Sequence, residues 1–256
     1  MALHDDGSGI RIRGVHKRFG DLVVLAGADL DVPRGEARVI LGRSGQGKSV
    51  LLKLIVGLLK PEAGSITVDG VEVTELSRHE LYEMRQRFSM VFQGGALFDS
   101  MTVLENIGLG LREHTKLPWS EIARRAEVAL EMVDLAGAGE KLPAELSGGM
   151  RKRASLARAI VTEPDYLLYD EPTTGLDPIT SDHINRLIQR LDAELGVTSI
   201  VVTHDMDSAF VVGDRFGLLS RGNFVFEGSA DEARAATSGP IKVFIDGDSS
   251  AAKQYL

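Results

Sequence analysis

Residues 42–49 read GRSGQGKS, in which Gly42 and Gly47 are separated by four residues and followed directly by Lys48 and Ser49. The stretch follows the apolar run ARVIL and precedes a helical pattern, SVLLKLIVGLL. Glycines let backbone N–H groups curl around phosphate oxygens, and the dipole of the following helix favours the anion. This strand–loop–helix pattern predicts a phosphate-binding loop, with Lys48 for the outer phosphates and the Ser49 hydroxyl for Mg²⁺.

A second stretch with anion-binding character is LSGGMRKRASLARAI, at residues 146–160. Ser147 is a favoured helix N-cap, Gly148 and Gly149 follow it, and the rest reads as a basic, amphipathic helix. Helix N-termini of this kind bind anions. The chain therefore contains two helix starts suited to a phosphate, only the first of which carries the Gly-Lys-Ser lysine.

Polar residues that could act on a phosphate-bound metal or on water end several apolar segments. Asp170 and Glu171 end YLLYDE, His204 ends IVVTH, and Gln93 ends SMVFQ. A phosphate loop needs a carboxylate for its metal and a group that handles water. Taken singly, each of these residues has an ordinary structural explanation, because acidic strand ends are commonly just solvated.

The surrounding elements predict an α/β fold. The runs IRIRGV, DLVVLAGADLDV, ARVIL, SITVDG and FSMVF crowd the first part of the chain and indicate an antiparallel layer beside the main sheet. Later strands, DYLLYD, TSIVVTH and FGLLS, are separated by helical patterns, which favours buried parallel strands. The segment IKVFI in the tail resembles a further strand.

Helix signals are clear in three places. Ser77 and Glu80 have capping-box spacing, and Asp177 followed by Pro178 suits a helix start. Two helices each place five apolar residues on one face. These are Ile122, Ala126, Ala129, Leu130 and Val133 in the first, and Ile184, Leu187, Ile188, Leu191 and Leu195 in the second.

Composition narrows the class of protein. The 256 residues carry a formal net charge of −8, which disfavours non-specific nucleic-acid binding. There is no cysteine, so disulfides and thiolate metal sites are excluded. Residues 1–10 lack the pattern of a secretory signal, and no run of apolar residues reaches the ~20 needed to span a bilayer. We therefore expect any membrane part of the system to belong to another chain.

The order of these motifs resembles that of ATP-binding-cassette (ABC) ATPases, and the resemblance covers nearly the whole chain. It implies that Phe19 stacks on adenine, that Asp170 is the Walker B aspartate, and that Glu171 is the catalytic glutamate. It further implies catalytic roles for the switch histidine His204 and the Q-loop glutamine Gln93, and makes Asp177 the D-loop aspartate. The implied nucleotide-binding residues are Phe19, Gly42, Arg43, Ser44, Gly45, Gln46, Gly47, Lys48, Ser49, Val50, Ser147, Gly148 and Gly149. The implied metal ligands are Ser49, Gln93 and Asp170.

The resemblance also implies an architecture and partners. The fold is that of a P-loop NTPase ABC cassette, with a RecA-like parallel-sheet core, an N-terminal antiparallel β-subdomain and a helical subdomain. Residues 10–228 would form the ATPase domain, with the helical subdomain at about 94–163, and residues 229–256 a tail that contacts a partner or a second copy. ATP and Mg²⁺ would bind, and the signature at Ser147 would complete the site of a second copy in a head-to-tail dimer. An integral membrane permease would place the chain peripherally, on the cytoplasmic face of the inner membrane.

One departure from the family pattern points to a subgroup. The usual signature ends in Gln, but Met150 stands there, followed by Arg151, Lys152 and Arg153. Together with FQGGALFDSMTVLENI, this resembles the ATPases of Mla-type lipid-trafficking systems, which work with proteins that bear mammalian-cell-entry (MCE) domains. The alternatives are a polar amino-acid or other nutrient importer and a permease-free ABC ATPase. A P-loop kinase or GTPase is disfavoured by LSGGM. An inactive cassette is disfavoured by the intact Lys48, Asp170, Glu171 and His204.

Overall fold

The computed structural model describes residues 9–255, which form two units. One unit consists of residues 9–85 and 198–255, and the other of Gln86–Val197. The expectation about a secretory signal falls mainly on residues 1–8, outside the described residues. Among the helices of residues 9–255, none is both long enough and apolar enough to cross a membrane.

The strands and helices follow one another in mixed order along the chain. The strands are β1 (Ile10–Phe19), β2 (Leu22–Val32), β3 (Ala37–Leu41), β4 (Ala63–Val68), β5 (Val71–Glu72), β6 (Phe88–Val91), β7 (Tyr166–Asp170), β8 (Thr198–Thr203), β9 (Arg215–Ser220) and β10 (Asn223–Ser229). The α-helices are α1 (Lys48–Ile55), α2 (Arg78–Arg85), α3 (Val103–His114), α4 (Trp119–Met132), α5 (Gly148–Ile160), α6 (Pro178–Leu195), α7 (Met206–Val212), α8 (Ala230–Ala235), α9 (Gly239–Asp246) and α10 (Ser249–Tyr255).

The first unit contains an antiparallel sheet and a parallel ladder. The sheet has the order β2-β1-β4-β5, and its pairing begins with Ile10 opposite Val32 and Val68. In the ladder, β3 lies between β8 and β9 and is parallel to both, while β10 pairs antiparallel with β9. Leu41 at the end of β3 is in register with Thr203 of β8. The carboxyl ends of β3 and β8 therefore meet at one edge.

The second unit is built around a parallel strand pair and a group of helices. Strand β6 pairs with β7 in parallel, and the rings of Phe88 and Tyr166 stack with centroids 4.6 Å apart. Helices α3, α4 and α5 pack against one another. The predicted apolar face of α4 is buried throughout, and that of α6 is buried except at Leu195, which is half-buried in the last turn.

The local helix signals are confirmed. The backbone N–H of Ser77 donates to the Glu80 carboxylate at 2.8 Å, and the N–H of Glu80 donates to the Ser77 hydroxyl at 3.4 Å. Asp177 caps α6 by accepting from the N–H groups of Ile179 and Thr180, and Pro178 occupies the first helical position. These signals depend only on neighbouring residues, so they could be recognised in the sequence.

Two expectations about strands are wrong. The segments ARVIL and FSMVF do not belong to an antiparallel layer, because β3 and β6 both pair in parallel. The segment IKVFI is not a strand but most of α9. Pro240 at the helix start, burial of Ile241, and an ion pair between Lys242 and Asp246 at 2.7 Å favour the helix over the β propensity of its residues.

Candidate nucleotide and signature sites

The phosphate-loop motif forms a loop between β3 and α1 in the first unit. Lys48 is the first residue of α1, and only 6% of it is exposed. Its ammonium group donates to the carbonyl of Gly42 at 2.7 Å and to that of Arg43 at 3.3 Å. The loop thus holds a positive charge at a helix N-terminus, where anions are favoured. This arrangement is suited to a polyphosphate.

Glycine is required in this loop because its backbone lies against neighbouring strands. A Cβ atom on Gly47 would lie 2.7 Å from a methyl group of Val24, at a φ of +96° that other residues rarely adopt. A Cβ atom on Gly42 would lie 2.7 Å from the carbonyl oxygen of Leu219. The loop therefore approaches β2 closely at Gly47 and β9 closely at Gly42, and leaves no space for a side chain at either position.

His204 lies at the same edge of the parallel ladder as this loop. It directly follows Thr203, the residue of β8 that is in register with Leu41, and its side chain is exposed. The next residue, Asp205, caps α7 and donates its N–H to the Thr203 hydroxyl. The imidazole is therefore presented from a short, capped connection at the carboxyl end of a buried strand.

Phe19 is the last residue of β1, and it lies opposite Leu22 at the start of β2, where three apolar side chains are exposed. Phe19 is 47% exposed, Leu22 is 67% and Val23 is 60%. The ammonium group of Lys17 lies 5.3 Å from the centre of the Phe19 ring, within cation–π distance. Val24, the next residue of β2, contacts the phosphate loop through Gly47. An exposed ring so placed can stack on a flat base.

In the second unit, Asp170 and Glu171 occupy the carboxyl end of β7. Glu171 adopts a φ of +52°, which is uncommon for a residue other than glycine. Its carboxylate accepts a hydrogen bond from the Thr174 hydroxyl at 3.1 Å, and its carbonyl accepts from the Thr174 N–H at 3.3 Å. The direction of the Glu171 side chain is therefore set by a tight turn.

Lys152 of α5 is buried beside these carboxylates. Its ammonium group donates to the carbonyl of Gln93 and makes a longer contact of 3.5 Å with the carbonyl of Glu171. Burial lowers the pKa of Lys152, while the negative charges of Asp170 and Glu171 act to raise that pKa. The side chain of Gln93 itself is exposed.

The signature residues and the segment after Thr174 line one groove of the second unit. Ser147 caps α5 by accepting from the N–H of Met150 at 3.3 Å, and Asp177 caps α6. The groove has a volume of about 540 Å³ and is lined by Ser147, Gly148, Gly149, Arg153, Gly175, Leu176, Asp177, Ile179, Thr180, His183 and Ile184. Two capped helix N-termini therefore open into the same groove.

The basic triplet after Met150 is not a single patch. The Arg151 guanidinium donates to the carbonyl of Leu146, and the Arg153 guanidinium to that of Asp134 at 2.5 Å. Lys152 points inward, as described above. The three side chains therefore make separate contacts, two with backbone carbonyls of neighbouring segments and one in the interior. Two residues of this region, Lys152 and Thr174, are not among the residues predicted from the sequence. The helical pattern separates Lys152 from Arg151 and Arg153 around α5, whereas no local pattern indicates the contact between Thr174 and Glu171.

The predicted residues thus fall into two groups, each brought together within its own unit. The first unit holds Phe19, the loop at residues 42–50 and His204. The second holds Gln93, the signature Ser147 to Gly149, Asp170, Glu171 and Asp177.

Comparison with known proteins identifies the family. The family model described as "ABC transporter" matches residues 25–174. The chain belongs to the ABC transporter family. It is 43% identical to the "Probable ribonucleotide transport ATP-binding protein mkl" of Mycobacterium leprae (strain TN), over 94% of this chain and 70% of that protein. It is 42% identical to the "Intermembrane phospholipid transport system ATP-binding protein MlaF" of Escherichia coli (strain K12), over 93% of this chain and 88% of that protein.

The fold agrees with that assignment. The dimeric post-hydrolysis state of the ATP-binding cassette MJ0796, bound to ADP and Pi, matches with a TM-score of 0.79 and 33% identity, over 86% of this chain and 98% of that one. The predicted α/β cassette, with an antiparallel sheet and a parallel-containing core, is confirmed. This ABC protein is accordingly an ATP-binding and ATP-hydrolysing subunit.

The loop contacts predict that two glycines of this ABC ATPase differ in their tolerance of alanine. Gly45 and Gly47 both have positive φ, but a Cβ atom on Gly45 meets nothing within 4 Å. We expect Gly47→Ala to weaken ATP binding far more than Gly45→Ala, because it also displaces the loop from Val24. Binding of a fluorescent ATP analogue would measure this, with thermal melting as the control for folding. Equal affinities would contradict the stated role of the β2 contact.

Proposed function

We propose that this ABC ATPase powers the transport of phospholipid or another lipid, through a separate membrane permease and an MCE-domain partner. The observation that carries the proposal is 42% identity to a phospholipid transport ATP-binding protein along 88% of that protein's length. The Met150 signature and the segment FQGGALFDSMTVLENI support it. On this proposal the ATPase is peripheral, on the cytoplasmic face of the inner membrane.

The second candidate is uptake of a polar nutrient, including a ribonucleotide. The relative from Mycobacterium leprae, described as a ribonucleotide transport protein, is 43% identical to this chain and favours it. Both candidates use the same hydrolytic residues, so the cargo must be tested in the assembled system. A permease-free ABC ATPase is the least favoured alternative.

We assign the site residues as follows. Lys48 and the amides of residues 42–50 bind the phosphates, and Phe19 stacks on adenine. Glu171 polarises the attacking water, and His204 and Gln93 assist hydrolysis. The buried charge of Lys48 and the fixed direction of Glu171 support these assignments.

For Mg²⁺ we propose the ligands that the resemblance implies, the oxygen donors of Ser49, Gln93 and Asp170. Mg²⁺ prefers a few protein oxygens together with substrate phosphates over a dedicated acidic cage. Within the described residues, no group of three or more His, Asp or Glu is placed to hold a metal. When bound, Mg²⁺ would neutralise phosphate charge.

We further propose that two copies form a head-to-tail dimer, in which the Ser147–Gly149 signature of one copy completes the nucleotide site of the other. The dimeric state of the related MJ0796 cassette and the groove onto which two helix N-termini open support this. Residues 10–228 are assigned to the ATPase domain, with a helical subdomain at about 94–163. Residues 229–256 are assigned to a partner or dimer contact.

A permease contact is proposed at Leu97, Phe98 and Met101. Phe98 is 52% exposed, whereas Leu97 and Met101 are half-buried. The buried side chain of Asn106 accepts from the Phe98 N–H at 2.7 Å and donates to the Phe98 carbonyl at 3.0 Å. The backbone of Phe98 is therefore fixed while its ring remains exposed, as a docking surface requires.

The assigned roles predict different defects for two variants. A hydrogen bond to a charged group contributes about 1.5–3 kcal/mol, so Lys48→Ala should weaken ATP binding by about ten- to 150-fold and abolish turnover. Glu171→Gln keeps the shape of the side chain but removes the base, so ATP should bind normally while hydrolysis falls by about 10²–10⁴-fold. Nucleotide binding and phosphate release would be measured with Mg²⁺ present. Equal loss of binding in both variants would refute the assignments.

The dimer predicts that Ser147→Arg affects turnover but not binding by the single chain. Glu171→Gln with ATP should elute as a dimer in size-exclusion chromatography, and the added Ser147→Arg change should return it to monomer, because arginine would fill the position of the partner's phosphate. Ser120→Arg, at an exposed serine of α4, is the matched control. If every ATP-loaded variant remains monomeric, both alone and in the assembled transporter, the composite site is wrong.

The system itself is tested by Phe98→Asp and by gene deletion. The isolated variant should keep its ATPase activity but lose stimulation by the permease, because an unpaired charge would be buried at the contact. Val128→Asp, at an exposed position of α4, should behave as wild type.

Deletion of the gene should make the cell sensitive to detergent or alter the distribution of phospholipid in its envelope. Normal lipids together with defective uptake of a ribonucleotide or amino acid would instead favour the nutrient importer.

A further inference from the structure

Lys152 is buried where lysine is rarely found. Only 6% of the residue is exposed, and lysine is almost never fully buried unless its charge is paired. Its hydrogen-bond acceptors are backbone carbonyls, those of Gln93 and Glu171, while the carboxylates of Asp170 and Glu171 interact with it electrostatically. One ammonium group thus bonds to the backbone of two residues, Gln93 and Glu171, whose side chains are assigned to hydrolysis.

The segment that follows Gln93 is held by the same helix. The Ser155 hydroxyl donates to the carbonyl of Gly95 at 2.7 Å, and the Arg158 guanidinium donates to the carbonyl of Ala96 at 2.6 Å. Lys152, Ser155 and Arg158 are spaced three residues apart, so they share one face of α5. A Cβ atom on Gly95 would lie 2.8 Å from the Ser155 hydroxyl, so the two segments are in close contact. Residues 93–96 are therefore fastened to the helix that the signature serine caps.

The backbone conformation of the other acceptor, Glu171, must be stabilised by neighbouring residues. A residue other than glycine with a φ of +52° persists where the neighbouring structure stabilises it. The N–H of Thr174 approaches the Glu171 carbonyl at 3.3 Å, and Lys152 provides a second donor to the same carbonyl. Loss of the ammonium group would leave that peptide with less restraint, and with it the direction of the Glu171 carboxylate.

We propose that Lys152 is a positioning residue for ATP hydrolysis: it holds the backbone at Gln93 and at Glu171 in fixed relation to α5, and thereby orients both side chains. This inference rests on the proposed roles of Gln93 and Glu171. Lys152 is given no contact with nucleotide, so its removal should affect the chemical step and leave ATP binding intact.

The test compares three substitutions in the full chain, with Mg²⁺ and ATP. Lys152→Met preserves the length of the side chain but removes its donors, and should lower kcat by about ten- to a hundredfold, the scale expected for a misplaced catalytic group. The KM for ATP, the affinity for a fluorescent ATP analogue and the melting temperature should remain near wild type. Lys152→Arg restores donors and charge and should recover most of the lost kcat, and Lys152→Gln, an uncharged donor, should recover less.

Lys141→Met, at an exposed lysine of the same unit, is the matched control and should behave as wild type. An unchanged kcat in Lys152→Met would overturn the inference, as would losses of kcat and affinity that follow the fraction of unfolded protein. If Lys152→Met does not fold, an unchanged kcat in a folded Lys152→Gln variant would overturn the inference. Absence of hydrolysis in the wild-type chain would instead refute the proposed function, so the two failures can be distinguished.

Discussion

The nucleotide site proposed for this ABC ATPase depends on a buried lysine at the start of a helix. Lys48 is nearly inaccessible, and its charge is held by carbonyls of its own loop. A buried ammonium group is stable only where backbone or ligand oxygens surround it. The glycines of the loop allow this by lying directly against β2 and β9, where a side chain would collide with Val24 or with Leu219. The antiparallel sheet and the parallel ladder of the first unit thus serve to shape one short loop.

The second unit repeats this device with a different lysine. Lys152 is as buried as Lys48 and likewise donates to carbonyls, but those carbonyls belong to the segments that present Gln93 and Glu171. The first lysine is proposed to bind the phosphates of ATP, whereas we infer that the second organises the groups that hydrolyse ATP. In the sequence, Lys152 resembles part of a basic surface, because an arginine stands on each side of it. Here its basic neighbours Arg151 and Arg153 form separate bonds and share no patch with it.

The exposed side chain of Phe98 concerns the partner that the ATPase is proposed to bind. The ring of Phe98 is exposed, while its backbone is held by Asn106, whose buried side chain hydrogen-bonds to the backbone of Phe98, Met101 and Thr102. These hydrogen bonds fix the backbone at Phe98 and leave the ring exposed. Such an arrangement is suited to a ring that a partner covers. The relatives that this chain matches are named for phospholipid and for ribonucleotide transport. The same proposed hydrolytic residues would serve transport of either compound.

Features that depend on residues close together in the chain could be predicted from the sequence alone. The phosphate loop, the capping pairs at Ser77 and Asp177 and the apolar faces of α4 and α6 were all recognisable, because helix caps and periodicity involve residues a few positions apart. The order of the motifs was enough to indicate the family and its α/β fold. Assignment of individual catalytic roles rested on the resemblance, since a single Asp, Glu or His at a strand end is ambiguous.

Strand pairing, the helix in the tail and the contacts of Lys152 and Glu171 depend on tertiary structure. Strands β3 and β6 pair in parallel, although their sequences resemble their antiparallel neighbours, because pairing is set by where the connecting chain returns. The segment IKVFI is helical because its capping, its ion pair and the burial of Ile241 outweigh β propensity. The inward turn of Lys152 and the left-handed backbone of Glu171 depend on contacts between residues 19 to 59 positions apart and on a tight turn. No local pattern encodes such contacts, because their energy exists only once the distant segments have been brought together.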